Sequence, residues 1–389
     1  MLAAMNGYSQ WIESGLNGKD VRSLTVKDNI VYAGTLDYGV YISTNFGTNW
    51  TQTTLNNKTV WALDTLGSRI IAGTDGSGIY ISTNNGISWA QTSLNNQSIF
   101  AFTQSGNNLF AGTAINGVYI SSNNGTSWSQ TSLNNKQILS LETLGSSVFA
   151  GVAQTGVFRS TDNGTSWVQV STASIDAWSF VTSGNFIFAG AYYGGVHLSS
   201  NNGSNWLQVG LDGKTIYSLT ASGNNPDKSG PVIFAGTYQH GVYLSTNNGT
   251  NWIEKNQGFN ANKIVKALMV TNNYVFAGTD DAVWRNSYSA IIGISNISTD
   301  VPASFSLYQN YPNPFNPDTK IQFKVTSSKF IKLVVFDVTG KEVAALVNER
   351  LQPGTYEVTF DASQLTSGIY FYRLTTGDFS ETKKMTLIK

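Results

Sequence analysis

Few side chains in this 389-residue sequence have the types and spacing to do chemistry. Asp37, Asp75, Asp176, Asp280 and Asp281 lie in short loops, where an acidic pair would suit glycoside hydrolysis and a larger group would suit calcium. Nothing in their spacing brings them together, and aspartate is ordinarily a turn or capping residue in such places. Glu13, Glu142 and Glu254 are the glutamates of the same region, and Glu13 and Glu254 fall on segments read as outer strands. With two histidines and no cysteine, there is little for a general base or a metal, and a disulfide framework is ruled out. Phosphate-binding glycine loops, histidine clusters and serine elbows are absent from the sequence. No catalytic residue, metal site or cofactor is therefore expected.

The other candidates are aromatic, and their meaning depends on a repeat. Nearly the same eight residues recur as STNFGTNW from Ser43, STNNGISW from Ser82, SSNNGTSW from Ser121, STDNGTSW from Ser160, SSNNGSNW from Ser199 and STNNGTNW from Ser245. The closing tryptophans Trp50, Trp89, Trp128, Trp167 and Trp206 are 39 residues apart, and Trp252 follows after 46. Upstream of each box stands an Ala-Gly pair, with glycines Gly34, Gly73, Gly112, Gly151, Gly190, Gly236 and Gly278. A period near 40 with strand-rich content predicts a β-propeller whose repeats are four-stranded blades. In the unit from Val60 the strands are VWALDTL, RIIAGT, GIYIST and SWAQTS. The box makes the hairpin between third and fourth strands, since Asn-Gly favours positive φ and nearby side chains can cap the turn. Six copies at one place in the unit point to scaffold. Trp11 precedes Trp50 by 39 residues, and the unit at 263–287 lacks its fourth strand. A strand near Trp11 is expected to complete it and close a ring of seven blades.

The boxes resemble the Asp-box, or BNR, repeat S-x-D-x-G-x-T-W over residues 11–287, shared by sialidases, other glycan-cleaving propellers, sortilin-like receptors and photosystem-assembly propellers. The structural positions are Asn45, Gly47 and Trp50; Asn84, Gly86 and Trp89; Asn123, Gly125 and Trp128; Asp162, Gly164 and Trp167; Asn201, Gly203 and Trp206; Asn247, Gly249 and Trp252. Only Asp162 keeps the acid, and asparagine can make the same turn bonds without charge. The sialidase pattern fails elsewhere: the propeller arginines are Arg22, Arg69, Arg159 and Arg285, of which only Arg22 is placed for the upper face. His197 takes the place held by Tyr41, Tyr80, Tyr119 and Tyr243 in other repeats and has no functional reading.

Positions that vary between repeats are free to answer to a ligand. One lies near the start of the inner strand: Arg22, Trp61, Phe100, Leu139, Trp178, Tyr217 and Lys266, each followed by serine or alanine. Trp61, Phe100, Trp178 and Tyr217 suit stacking on sugar rings or anchoring a peptide, although packing between blades also explains them. The loops after the second strands add Asp37, Tyr38, Tyr192, Tyr193, Tyr238 and His240, or are ordinary solvated loops.

Pro312, Pro314 and Pro317 end the repeat, and alternating runs such as KIQFKV, FIKLVVFDV, TYEVTF and IYFYRL follow. About seven short strands in this stretch predict an immunoglobulin-like sandwich. QNYPNPFNP, VFDVTGKEV, FDASQLTSGIYFYRL and KKMTLIK closely resemble the type A C-terminal sorting domain of the type IX secretion system. Asn310, Pro312, Asn313, Pro314, Phe315, Asn316, Pro317, Gly368 and Tyr370 carry the motif. The resemblance implies export across the outer membrane by that machinery, acting on residues 303–389, and an extracellular or surface location. The chain is read as a propeller at 1–287, a linker at 288–302 and the sorting domain at 303–389.

Equal numbers of basic and acidic residues, 23 each, give no basic surface for nucleic acid, and no apolar run is long enough for a membrane helix. The start, MLAAMNGYSQW, shows no signal peptide, which a trimmed chain or a late gene start would explain. The function these features favour is a non-catalytic surface binding or adhesion propeller for a glycan or protein. A glycan-active hydrolase or lyase and an envelope assembly scaffold are the alternatives.

Overall fold

The computed structural model describes residues 10–171, 175–222, 231–259, 263–271, 273–292, 294–298, 300–351, 353–362 and 365–389. They form two compact units, one from Trp11 to Tyr288 and one containing Ser289 to Lys389.

The first unit is a β-propeller. Its described residues make seven four-stranded antiparallel sheets, with inner strands Val21–Lys27, Val60–Leu66, Ile99–Ser105, Ile138–Leu144, Ala177–Ser183, Ile216–Ser222 and Val265–Val270. Each inner strand lies against the next, and Val265–Val270 returns to Val21–Lys27. Six sheets are built from consecutive strands, whereas Ile12–Glu13 supplies the outer strand of the sheet at 265–287, pairing Ile12 with Arg285 and Glu13 with Trp284. Trp11 fastens this joint: its ring stacks on Phe259 at 4.7 Å, and its indole N–H donates to Lys255 O at 2.6 Å. The chain ends thus remove the edge that an open array would expose.

The Ala-Gly mark is a point of backbone contact between blades. A Cβ on Gly34 would stand 2.7 Å from the Val60 side chain and 3.0 Å from its carbonyl oxygen. Gly73 meets Ile99, Gly112 meets Ile138, Gly151 meets Ala177, Gly190 meets Ile216, Gly236 meets Val265 and Gly278 meets Val21 in the same way. Second-strand residues Tyr32, Ile71, Phe110, Phe149, Phe188, Phe234 and Phe276 are fully buried and fill the space farther out.

All six boxes make one hydrogen-bonded turn. The leading serine Oγ accepts the glycine N–H at 2.8–2.9 Å and donates to Oδ1 of the Asn or Asp. That same Oδ1 accepts the amide four residues on, at 2.9 Å in each case. Only an oxygen acceptor is needed, so Asn45, Asn84, Asn123, Asn201 and Asn247 serve as well as Asp162. The Asp162 carboxyl, bonded by Ser166 and Ser160, is held down at about 2. Gly203, at φ 79°, sits so close to Phe149 of the preceding blade that a Cβ would lie 2.5 Å from its ring. The box tryptophans are half-buried. Arg69, Arg159 and Arg285 each donate to a backbone oxygen in the next blade's turn, those of Asn124, Asn202 and Phe46. They are stitching residues.

The second unit stacks two four-stranded antiparallel sheets. One has the order Ile294–Ser298, Gly354–Asp361, Asp318–Val325, Ser306–Leu307, and the other Glu342–Leu351, Lys329–Phe336, Gly368–Thr375, Ser380–Leu387. Inward residues such as Ile321, Phe323, Leu333, Val335, Tyr372 and Met385 form one core. The 288–302 stretch, expected as a linker, instead contains Tyr288–Ile291 as a helical turn and Ile294–Ser298 as an edge strand paired with Gly354–Asp361. Its alternation is too short to read alone; a partner some sixty residues on supplies the ladder.

Gly190→Ala is expected to destabilise the propeller by about 1–3 kcal/mol, because Ile216 Cγ2 and Ser179 Oγ both stand 2.6 Å from the added carbon. Gly377→Ala, with nothing within 4 Å, is expected to stay within about 0.5 kcal/mol of the parent. Calorimetric unfolding of the full chain checks both.

Candidate functional site

The inner strands carry an irregularity that decides where the varied residues point. In every blade the register slips by one residue near the strand's start: between Val21 and Ser23, Val60 and Ala62, Ile99 and Ala101, Ile138 and Ser140, Ala177 and Ser179, Ile216 and Ser218, and Val265 and Ala267. The residue left without a cross-strand partner is Arg22, Trp61, Phe100, Leu139, Trp178, Tyr217 or Lys266. A β-bulge of this kind re-aims one side chain out of the ladder. The small residue that follows fits against the neighbouring blade: Ser140 Oγ donates to Ala177 O at 2.8 Å.

Bulge residues of adjacent blades touch, in two clusters. In the first, Asp20 accepts from Arg22 at 2.7 Å and from Lys266 at 2.6 Å, tying the last blade to the first. The Arg22 guanidinium lies 4.8 Å from the Trp61 ring centre, and Trp61 meets Phe100 edge-on at 5.5 Å. In the second, Trp178 packs edge-on against Tyr217 at 5.0 Å and stacks on Tyr192 at 5.4 Å with 15° between planes. Tyr192 meets Tyr193 at 4.5 Å, and Tyr217 meets Tyr238 at 6.1 Å. The tryptophans are therefore inter-blade packing residues and also the floor of a patch. Its upper rings remain open: Tyr192 is 47% and Tyr193 59% exposed, enough for one face of each to meet a ligand. Tyr193 holds φ 50°, a left-handed conformation costly for a bulky side chain, where Gly76 stands in another blade. Its N–H donates to Thr215 Oγ1 at 3.1 Å.

Of the remaining loop candidates, Asp37 and Tyr38 lie in another blade, and His240 borders the patch through Tyr238. Tyr38 is about as exposed as Tyr192, at 46%, and carries Lys19 Nζ 3.8 Å from its ring centre. Asp37 accepts from Thr59 Oγ1 at 2.9 Å, and His240 Nδ1 pairs with Tyr238 O at 2.8 Å. Three other loop carboxylates are also engaged locally: Asp75 by Ser98 Oγ, Asp176 by the Gln154 amide, and Asp281 by Lys263 and Thr279 Oγ1. Among the described residues, no three His, Asp or Glu side chains are grouped to hold a metal ion.

Asp64 escaped the sequence reading, and Glu142 was given no place in it. Asp64 and Glu142 stand three residues beyond the bulge, on inner strands two blades apart, where the other strands have Thr25, Thr103, Val181, Thr220 and Met269. Burial raises Asp64 to about 6 against the opposing bond from the Thr65 amide. Burial likewise raises Glu142 to about 7, opposed by the Thr143 amide and assisted by the Asp64 charge. A carboxyl near neutrality can hold or release a proton at working pH. Aligning the repeats on the bulge is the signal that would have singled them out.

In the second unit the sorting motif is partly structural. Asn310 is buried: its amide takes Tyr372 Oη at 2.8 Å, and its Nδ2 donates to Thr319 Oγ1 at 2.9 Å and Pro312 O at 3.1 Å. Asn313 Oδ1 accepts the Thr386 amide at 2.9 Å, and buried Phe315 bridges to Leu387 in parallel. Pro317 O accepts from Ala362, Gly368 pairs with Leu387, and Tyr370 Oη donates to Thr366 O. Pro312, Pro314 and Asn316 are exposed.

Glu142→Gln is expected to stabilise the propeller above pH 7 and to change little near pH 4. The native state binds this proton more tightly than the unfolded chain, so parental stability falls as pH rises from about 4.5 through about 7. The difference is of order 1–3 kcal/mol, read from chemical denaturation at the two pH values.

Several solved structures share the fold. An extracellular domain of a hybrid two-component system from B. thetaiotaomicron matches with TM-score 0.60 at 16% identity over 82% of this chain, which spans only 45% of that one. The GH74 enzyme of Niastella koreensis matches with TM-score 0.56 at 14% identity, covering 98% of this chain and 75% of the enzyme. YCF48 bound to D1 peptide matches with TM-score 0.58 at 13% identity, over 72% of this chain and 97% of YCF48. No curated protein matches the sequence. Residues 309–389 match the secretion system C-terminal sorting domain family. The chain thus couples a β-propeller to a type IX secretion system sorting domain, which implies engagement by the secretion machinery and delivery to the cell surface or extracellular space.

Proposed function

We propose that this is an exported, non-catalytic binding or adhesion propeller that takes a glycan on the aromatic patch of Trp178, Tyr192, Tyr193, Tyr217 and Tyr238. The observation that carries the reading is the contiguity of these rings across two blades, with Tyr192 and Tyr193 left about half open. Sugar rings present flat faces of C–H groups edged by hydroxyls. Tyrosine offers a matching flat face and a hydrogen-bonding tip, with few rotors to immobilise. Of the loop carboxylates that a hydrolase would use, Asp37, Asp75, Asp176 and Asp281 are bonded within their own or the adjoining blade, which favours recognition over turnover.

A protein ligand is the second reading, favoured by one specific likeness: YCF48, of the same fold, has been solved with a peptide. Aromatic anchors serve peptides as well as sugars.

The full chain is expected to bind a subset of an immobilised glycan array, with no release of shorter sugars. Tyr193→Ala is expected to weaken that binding about tenfold, the worth of one well-placed aromatic contact, while Trp61→Ala in the other cluster leaves it within about twofold. Binding indifferent to Tyr193→Ala removes the patch from the function. Reducing sugar liberated by the parent and lost in Glu142→Gln replaces binding with hydrolysis.

A further inference from the structure

The sorting motif presents one aromatic side chain that the packing of its domain leaves exposed. Tyr311 is 81% exposed, more than any other large apolar or aromatic side chain among the described residues. Its backbone, by contrast, is fixed on both sides. Tyr311 N–H donates to Lys320 O at 2.9 Å, and Lys320 N–H returns to Tyr311 O at 3.0 Å. Before it, Asn310 is buried in its bonds to Tyr372, Thr319 and Pro312. After it, Pro312 O also accepts from Thr319 Oγ1 at 2.8 Å. Asn313 is held by the Thr386 amide, and Phe315 exchanges backbone bonds with Thr386 and Ile388.

The motif therefore has two faces. Asn310 and Phe315 turn inward and tie the segment to strands Asp318–Val325 and Ser380–Leu387. Tyr311, Pro312, Asn313 and Pro314 form a short outward shelf. Folding gains nothing from leaving a phenol ring in water. A partner gains from a ring presented on a backbone already ordered, since little conformational entropy remains to be lost on docking. The matched sorting-domain span, 309–389, begins two residues before Tyr311, so the shelf belongs to the part of the chain that the export apparatus must recognise.

We propose that the Tyr311–Pro314 shelf is a contact surface for the type IX secretion machinery, with the Tyr311 ring as its anchor. The inner face of the motif holds the shelf in place, and the outer face is read.

Export of the full chain by a bacterium carrying the secretion system tests this. Tyr311→Ala is expected to lower the surface and extracellular protein about tenfold, with accumulation in the periplasm and an unchanged melting temperature. Tyr311→Phe is expected to export normally, as is Val338→Ala, altered at another exposed apolar position of the same domain. Parental export of Tyr311→Ala overturns the proposal. Should that variant melt early, the chain's lack of cysteine allows a second measurement. A thiol cross-linker on Tyr311→Cys is expected to capture a component of the secretion machinery that the same reagent on Val338→Cys does not. Capture of a second copy of the chain, or no capture specific to position 311, overturns it.

Discussion

The contact on which the propeller depends is the approach of one blade's inner strand to a glycine of the blade before it. At Gly34, Gly73, Gly112, Gly151, Gly190, Gly236 and Gly278 there is no room for a carbon between the two. The seventh of these contacts, Gly278 against Val21, is also the one that shuts the ring. In every blade the register slips at the residue that follows this contact. The slip is what turns Trp61, Phe100, Trp178 and Tyr217 outward. Packing thus fixes where these residues stand, while their identity varies from blade to blade and still serves the joints, as Arg22 and Lys266 do through Asp20 and Trp178 does against Tyr217.

The box turn works on the opposite side of the same economy. One serine oxygen accepts from the glycine amide and donates to an Asn or Asp oxygen, which in turn receives a second amide. Charge has no part in this, which is why asparagine stands in most copies. Asp162 keeps the carboxylate, and its bonds to Ser166 and Ser160 hold it ionised far into acid. The arginines that a carboxylate-binding site would need are instead spent on the backbone oxygens of neighbouring turns, at Asn124, Asn202 and Phe46. A turn that is bonded within itself, packed on the preceding blade and sometimes clasped by an arginine is a rivet. Repetition is what a rivet requires.

The second unit joins structure and address in a single motif. Asn310 bonds Tyr372, Thr319 and Pro312, and Phe315 closes the core against the last strand. The sheets are held by alternating apolar residues, and the motif adds the clasp between the entry segment and the chain's end.

Periodicity made the propeller legible, because a blade is assembled from short strands joined by local turns, and its hairpin chemistry is written in neighbouring residues. The 39-residue spacing, the Asn-Gly turns, the replacement strand near Trp11 and the sorting motif could all be read along the chain. Ile294–Ser298 could not, since its ladder comes from Gly354–Asp361, far away in sequence. Nor could the separation of the aromatic candidates into two clusters, the capture of Arg22 and Lys266 by Asp20, or the influence of the Asp64 charge on Glu142. Amino-acid order by itself determined the repeat, the turns and the residue types available at each varied place. Only the closed ring decided which of those residues meet, because positions a blade or more apart become neighbours through the curvature of the whole assembly, which no local stretch encodes.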